Sequence, residues 1–208
     1  MEVVYYATCR TSWVSLLVAS SAQGLVAVRF IPRGKKETAL AWLRKRYPGA
    51  KLVHSPEVNR KAIEELGTYC QGCQQRFTVP LDLHGSPFQV EVWQALRGIP
   101  FGETRSYAAI ARALGRPKAF RAVGMANRTN PVCIVVPCHR VIGSDGDLCG
   151  FGGGLKLKRQ LLDHEQRQRI LATGQGAPRC PESAGDRLPL RPLCSARRGK
   201  QTTPPVQA

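Results

Sequence analysis

At Ser86-Pro-Phe-Gln89 three helix-start signals coincide. A serine stands ready to cap, a proline occupies the first helical position, and a glutamine three residues after the cap completes a capping box. Phe88, Val92 and Leu96 then recur every four residues until Gly98 and Pro100 stop the helix. Ser106 to Leu114 predicts a second helix, Gly115-Arg-Pro117 breaks it, and Lys118 to Ala126 predicts a third. The pattern is helix, short turn, helix, a layout that packs on itself and also reads nucleic acid.

The remainder is arranged around this unit. Trp13 to Ser20 and Leu25 to Ile31 are β-rich runs separated by Ser21-Ala-Gln-Gly24, which predicts a hairpin. Lys36 to Arg46 and Glu57 to Tyr69 carry apolar residues at helical spacing, and Pro48-Gly49 separates them. Residues 1–80 therefore read as a small α/β domain, followed by a linker around Pro80 to Gly85 and a second domain over 81–171. In that second domain, Ile134-Val-Val136 feeds Pro137-Cys-His-Arg140, a Gly-rich loop runs from Gly143 to Gly154, and a last helix is expected from Leu155 to about Arg169. Residues 172–208 have Pro, Gly, Arg and Ser without periodicity and are expected to be a disordered basic tail.

Charge narrows the partner. The 208 residues carry 31 Lys plus Arg against 14 Asp plus Glu, a net +17, more than solubility needs and suited to a polyanion. Between Arg97 and Arg140 eight basic residues face a single acid, Glu103, so the excess falls on the helix-turn-helix stretch and favours DNA. Long polar groups for reading base edges are few on the third helix, where Ala119, Ala122, Val123, Gly124 and Ala126 leave Lys118 and Arg121 as the main ones. That surface fits a binder of shape and backbone, with Arg121 placed to enter the duplex. Trp13 to Ser20 is too short and too serine-rich for a signal segment, and no run approaches the roughly 20 apolar residues of a spanning helix. The expectation is a cytoplasmic protein with no membrane partner.

Eight cysteines at irregular spacings predict reduced thiols, not a disulfide scaffold. Cys138 is singled out by its neighbours. Pro137 fixes the backbone, His139 sets an imidazole beside the thiol, and the glycines of 143–154 let a loop approach a ligand. Adjacent side chains diverge on regular backbone, so His139 would act through an irregular turn or a bridging water. Glu165 lies four residues after Leu161 on the apolar stripe of the last helix; its carboxylate should point inward and needs a partner, which His139 supplies. Cys, His and Glu then form a nucleophile, base and orienter series.

These residues stand in segments that resemble a known family, the O6-alkylguanine-DNA alkyltransferases. The matching segments are SPFQVEVWQALRGIPFGETRSYAAIARALG, RAVGMANRTNP, VVPCHRVIGSDGDLCGFGGGL and KRQLLDHE, within about residues 69 to 166. The resemblance implies an α/β (α+β) architecture: a ribonuclease-H-like N-terminal domain and a mainly helical C-terminal domain with a winged-helix-like helix-turn-helix. It implies a suicide methyltransferase for DNA repair, in which Cys138 takes the alkyl group from O6-alkylguanine flipped out of double-stranded DNA, with O4-alkylthymine as a second candidate. By the same resemblance His139 is the water-bridged base, Glu165 its orienting acid, Asn130 shapes the active-site turn, and Tyr107 rotates the phosphate and assists the leaving guanine. Arg121 fills the vacated stack. Ser106, Tyr107, Lys118, Ala122 and Arg128 join it on the minor-groove side, and Val136, Pro137, Phe151, Gly152 and Gly153 line the pocket. Phe151 stands where the family often has tyrosine, and Gly152 where serine or alanine can occur, so hydroxyl contacts give way to backbone donors. The implied protein is a monomer without cofactor or metal.

Thiolate attack on an O-alkyl carbon leaves a thioether that water does not readily hydrolyse, which predicts one repair per molecule. A binding module on the same helix-turn-helix, sensing lesions without chemistry, is the rival reading, and Cys138 argues against it. A second rival is zinc on Cys70-Gln-Gly-Cys73 with Cys9 and His84, but only one such cysteine pair exists. His54, His84 and His164 are expected at the surface.

Overall fold

The computed structural model describes residues 3–11, 13–32 and 35–173. The tail expected to be disordered lies outside the described residues from 174 onward. Four strands form the N-terminal sheet: β1 (Val3–Arg10), β2 (Ser15–Ser20), β3 (Leu25–Ile31) and β4 (Lys51–His54), in the order β3-β2-β1-β4. The β2–β3 pair is the expected antiparallel hairpin, with Leu17 opposite Arg29. β1 pairs antiparallel with β2 and parallel with β4. Neither β1 nor β4 was predicted, since Val3 to Arg10 lacks clean alternation and four residues of β4 carry little pattern. Trp13 and Val14 precede the strand in which the sequence places them.

The two faces of the sheet bury different partners. Leu17, Ala19, Val26 and Ala27 meet Ala39, Leu40 and Leu43 of α1 (Lys36–Arg46). Leu16 and Val18, one residue out of phase with Leu17 and Ala19 as strand alternation requires, join Leu25 and Val28 in a core with Leu66 and Tyr69 of α2 (Arg60–Cys70) and with the C-terminal half; on β3 the alternation is broken by the register shift opposite Ala19 and Ser20. That core continues through Trp93, Leu96, Ile110, Val123, Val132 and Leu161. Residues 80–82 run along β3, with Leu25 N donating to Pro80 O and Asp82 N to Leu25 O. Val28 likewise receives a donor from Cys133 and gives its own to Pro131. Through these bonds the sheet directly supports the segment that leads to Cys138.

The helices of the C-terminal half form for the reasons the sequence displays. α3 (Pro87–Arg97) opens on the capping box, Ser86 and Gln89 exchanging side-chain and backbone bonds. α4 (Tyr107–Ala113) is capped by Ser106, whose hydroxyl accepts from Ala109 N at 3.1 Å. After a 3₁₀ turn at Pro117–Ala119 comes α5 (Phe120–Arg128), later than the sequence indicates because Pro117 tightens the entry. Short strands β5 (Arg105–Ser106) and β6 (Val141–Ile142) pair in parallel, and α6 (Leu155–Thr173) closes the fold. Among the described residues no helix is long and apolar enough to cross a membrane.

Trp93 is the hinge of this packing. Its ring is 1% exposed, and its indole N–H donates to Ala126 O at 2.8 Å, locking α3 to α5. A Cβ at Gly85 would sit 2.7 Å from that ring, so the residue before the capping box must be glycine or displace the tryptophan. Trp93→Ala is expected to cost about 3–5 kcal/mol in denaturant unfolding, with α5 the first helix to lose amide-exchange protection.

Candidate active site

Cys138 opens a single 3₁₀ turn, Cys138–Arg140, so its neighbours are held by irregular backbone, as the sequence required for a cysteine and histidine to cooperate. The turn is fixed from behind. Asn130 donates from Nδ2 to Val136 O at 2.9 Å and accepts from Val132 N at 3.0 Å, bracketing residues 131–136 with one side chain. Within the bracket Ile134 has φ +72°, a left-handed conformation that a β-branched residue adopts only when its surroundings insist. Asn127 reaches across from α5 to Cys138 O at 3.4 Å, which couples the acceptor turn to the helix-turn-helix.

The predicted pairing of His139 with Glu165 is present: His139 Nε2 lies 2.7 Å from Glu165 Oε1, and both side chains are fully buried. Glu165 does more than orient the imidazole. Oε1 also accepts from Tyr69 OH at 2.7 Å and Arg140 Nη2 at 2.9 Å, while Oε2 accepts from Arg140 Nε at 2.8 Å and Gly102 N at 3.0 Å. Burial alone would raise this carboxyl, but the hydrogen bond of His139, joined in acid by its charge, and the hydrogen bonds and charge of Arg140 hold it well below the usual carboxylate range. Burial pushes His139 below its ordinary value against the pull of Glu165, so the ring is neutral near pH 7. An ionised carboxylate only accepts. Nε2 therefore carries the hydrogen, and Nδ1, buried without a hydrogen-bond partner among the described residues, presents a lone pair.

The buried thiols differ in the direction of their titration. Burial pushes Cys9 up to about 12 and Cys70 up to about 11. Cys133 is raised well above the ordinary value by its hydrogen bond with Cys138 and by burial. Cys138 is lowered, first by that same bond and then by the Asn130 side chain and the Lys158 charge, despite burial. Lys158 was not anticipated. Its side chain is fully buried, and Nζ donates to Val141 O at 2.5 Å and Cys149 O at 2.7 Å, tying the loop before α6 to β6. A signal was present: Lys158, Leu161 and Glu165 share one helical stripe. Tyr69, Arg140, Cys133, Asn127 and Gly102 were missed as well, although Arg140 stood in the run Pro137-Cys-His-Arg140 and Gly102 and Asn127 in other matching segments.

The remaining predicted residues fall into three groups. Tyr107 is half-buried at the start of α4 and senses Cys149 and Cys138; burial pushes its phenol up to about 12, so it remains a donor. Lys118, Arg121, Ala122 and Arg128 are exposed on or before α5, whereas the Ser106 hydroxyl is engaged as a cap. Val136 and Pro137 are buried; Phe151 packs on Phe30 with ring centroids 5.5 Å apart, beside Gly153, and Gly152 is exposed. His164 corrects an expectation. It is half-buried between Trp13 and Tyr69, its Nε2 2.8 Å from Tyr69 O, because α6 packs on two sides and not one. His54 and His84 are exposed, with His84 2.8 Å from Asp82. Among the described residues no three His, Cys, Asp or Glu side chains gather as metal ligands.

Comparison with known proteins adds independent findings. A family model described as "6-O-methylguanine DNA methyltransferase, DNA binding domain" matches residues 87–167. The inducible methylated-DNA--protein-cysteine methyltransferase of Bacillus subtilis is 45% identical over 152 residues, covering 72% of this chain and 83% of that one. The relative of the same name from Methanosarcina acetivorans is 42% identical over 164 residues, 78% of this chain and 98% of that one. Among solved structures, the O6-methylguanine methyltransferase of Mycobacterium tuberculosis superposes with TM-score 0.69 at 39% identity, covering 79% of this chain and 94% of that one. The same protein in complex with DNA gives 0.68.

The Glu165 cluster makes a pH-dependent claim. A carboxyl depressed by folding stabilises fully above its unfolded value, near 4.3, and that stability is lost as pH falls through the folded value. Glu165→Gln should lower unfolding free energy at pH 7 by about 3–5 kcal/mol, since it leaves Arg140 buried without its counter-charge. The acid-side decline of the wild type, followed by urea titration at stepped pH, should be shallower in the variant.

Proposed function

The chain belongs to the O6-alkylguanine-DNA alkyltransferase family, and from that premise we propose that Cys138 is the sulfur that accepts the alkyl group. The protein repairs DNA by transferring an alkyl group to its own cysteine. The observation that carries the assignment to Cys138 is the contrast among buried thiols: Cys9, Cys70 and Cys133 are pushed up, while Cys138 is lowered beside a neutral His139. Only the thiolate is an effective nucleophile.

The residues divide the reaction as follows. Cys138 gives its proton, through a bridging water, to the free Nδ1 of His139, and Glu165 at Nε2 compensates the imidazolium that forms. Sγ then attacks the alkyl carbon in line with O6. The S–C bond forms, the C–O6 bond breaks, its electron pair stays on the guanine oxygen, and the base takes up one proton. Tyr107, still protonated at neutral pH, assists that uptake and steers the nucleotide's phosphate. The thioether is stable to water, so one molecule repairs one lesion. Substrate is O6-alkylguanine extruded from duplex DNA approached from the minor groove, with O4-alkylthymine second.

Affinity comes from cations that the fold leaves unpaired. Lys118, Arg121 and Arg128 are exposed and make no ion pair among the described residues, whereas Arg105 and Arg116 are tied to Glu103 and Glu91. Arg121 enters the stack in place of the extruded base. The same reading divides the chain at residue 80 into a ribonuclease-H-like unit and a winged-helix-like catalytic unit through 171, acting as a cytoplasmic monomer.

Two experiments test this. Incubation with O6-methylguanine duplex should add one methyl mass to the wild type, mapped to the Cys138 peptide, and none to Cys138→Ala, which should still bind DNA. A methyl on another cysteine would overturn the assignment. Arg121→Ala should slow repair of duplex by about tenfold or more, while sparing a single-stranded oligonucleotide, because extrusion from a duplex costs a few kcal/mol. Equal loss on both substrates would instead give Arg121 a role in the fold.

A further inference from the structure

The transfer chemistry makes no use of Met125, yet this residue stands 59% exposed on the helix that carries Arg121. Few large apolar side chains are left exposed among the described residues, and two of them, Phe120 and Met125, belong to α5. Positions three and four apart share one face of a helix. Arg121, Met125 and Arg128 therefore form a single exposed stripe, with the thioether between two cations. Val123, Ala126 and Asn127 take the buried side of the same helix. Neither cation meets a carboxylate among the described residues, unlike Arg105 and Arg116.

The backbone beneath Met125 is held from several sides. The Thr129 hydroxyl donates to Met125 O at 3.1 Å and accepts from Gln89 Nε2 at 3.0 Å, which ties the end of α5 to the start of α3. The next two residues are fixed as well: Ala126 O accepts from the Trp93 indole, and Asn127 donates to Cys138 O. The Arg121 guanidinium lies over the Phe120 ring, its carbon 5.7 Å from the centroid. It thus leans away from the stripe and leaves the thioether uncovered.

We propose that Met125 is a second wedge for duplex DNA: one helical turn beyond Arg121, its side chain enters the minor groove and parts a base step beside the gap that Arg121 fills. Four residues span about 6 Å of helix, and bases repeat every ~3.4 Å along a strand, so the thioether reaches the pairs one or two steps from the extruded guanine. Phosphates alone would be met by the cations of the stripe. An exposed apolar group set between those cations is matched by the sugars and base edges of the groove floor, where such side chains unstack DNA. Methionine, unbranched and flexible, adapts to the irregular space of an opened step. The proposal rests on the reading of α5 as the helix that faces DNA, and adds to its ionic contacts an apolar one that releases no counterions.

The test uses the full chain with Cys138→Ala as background, so that a duplex carrying O6-methylguanine is bound without reacting. The fluorescent base 2-aminopurine, which brightens when it unstacks, is placed two bases from the lesion, beyond the step that Arg121 fills, on each side in turn. With Met125 in place its emission should rise on one side. Met125→Ala and Met125→Gln should remove most of that rise, and Met125→Leu should keep it. Duplex affinity should fall about tenfold in Met125→Ala, the burial of one such side chain less the unstacking it drives. The slope of log affinity against log salt should stay unchanged, whereas Arg128→Ala should lower it by about one unit. With Cys138 intact, Met125→Ala should slow transfer from dilute duplex by the same factor and spare transfer from free O6-methylguanine. Unmoved emission and affinity in Met125→Ala, while Arg128→Ala still lowers the slope, overturn the wedge. Equal slowing on duplex and free base also overturns it, since that would give Met125 a role in the fold. A slope that Arg128→Ala leaves unchanged overturns the placement of α5 on DNA, and the wedge with it.

Discussion

One buried carboxylate gathers the catalytic half. Glu165 accepts five hydrogen bonds from Tyr69, Gly102, His139 and two nitrogens of Arg140. These donors come from α2, from the loop before β5 and from the acceptor turn, so the bonds that fix the imidazole also fix where three separate segments meet. A charge so deep is tolerated because every lone pair is matched and Arg140 compensates it. Arg140 in turn donates from Nη1 to Ile99 O at 2.7 Å, which carries the constraint to the end of α3. Gly102, at φ +71°, turns its N–H toward Glu165, and a Cβ there would sit 3.0 Å from Arg169. Stability and chemistry therefore share the same atoms.

The acceptor turn depends on a second device, the Asn130 bracket with its strained Ile134. Its position is set by β3, because Val28 both donates to Pro131 and accepts from Cys133. The N-terminal sheet thus supplies the edge on which the turn of Cys138 is held. Asn127 links the same turn to α5, which Trp93 locks in turn to α3, so Cys138 sits at a fixed offset from the helix that carries Arg121. On the proposed mechanism, the 3₁₀ turn at Cys138 is what lets thiol and imidazole serve one proton path although they are adjacent in sequence.

Much of this was legible in the residues. The capping box at Ser86 is local chemistry, and it forms as written. Glu165 was recognisable because an acid on an apolar stripe demands a partner, and the imidazole it meets is the one next to Cys138 in the sequence. Elements fixed by pairing alone escaped: β1 is specified by β2 and β4 on its two sides, and neither its composition nor its length shows this. Lys158 reads as a solvated helix charge until the carbonyls of Val141 and Cys149 are known to face it. Cys133 reads as a small hydrophobe in an apolar run, and nothing in that run announces the left-handed residue that follows it.

Charge is treated in opposite ways inside and outside. Buried Arg140, Lys158 and Glu165 each have bonded partners, since an unpaired charge there would cost several kcal/mol. On α5 the cations meet no carboxylate among the described residues, and beside them Phe120 and Met125 are exposed and apolar. Intramolecular ion pairs on that helix would have to be broken before a phosphate could be met, so leaving them out lowers the cost of binding DNA. The net charge of the chain therefore reports on its partner and is silent on its chemistry, which is carried by groups whose charges compensate one another and add little to the total. The two properties meet at Asn127, whose backbone belongs to the helix that carries Arg121 and whose amide reaches the carbonyl of Cys138.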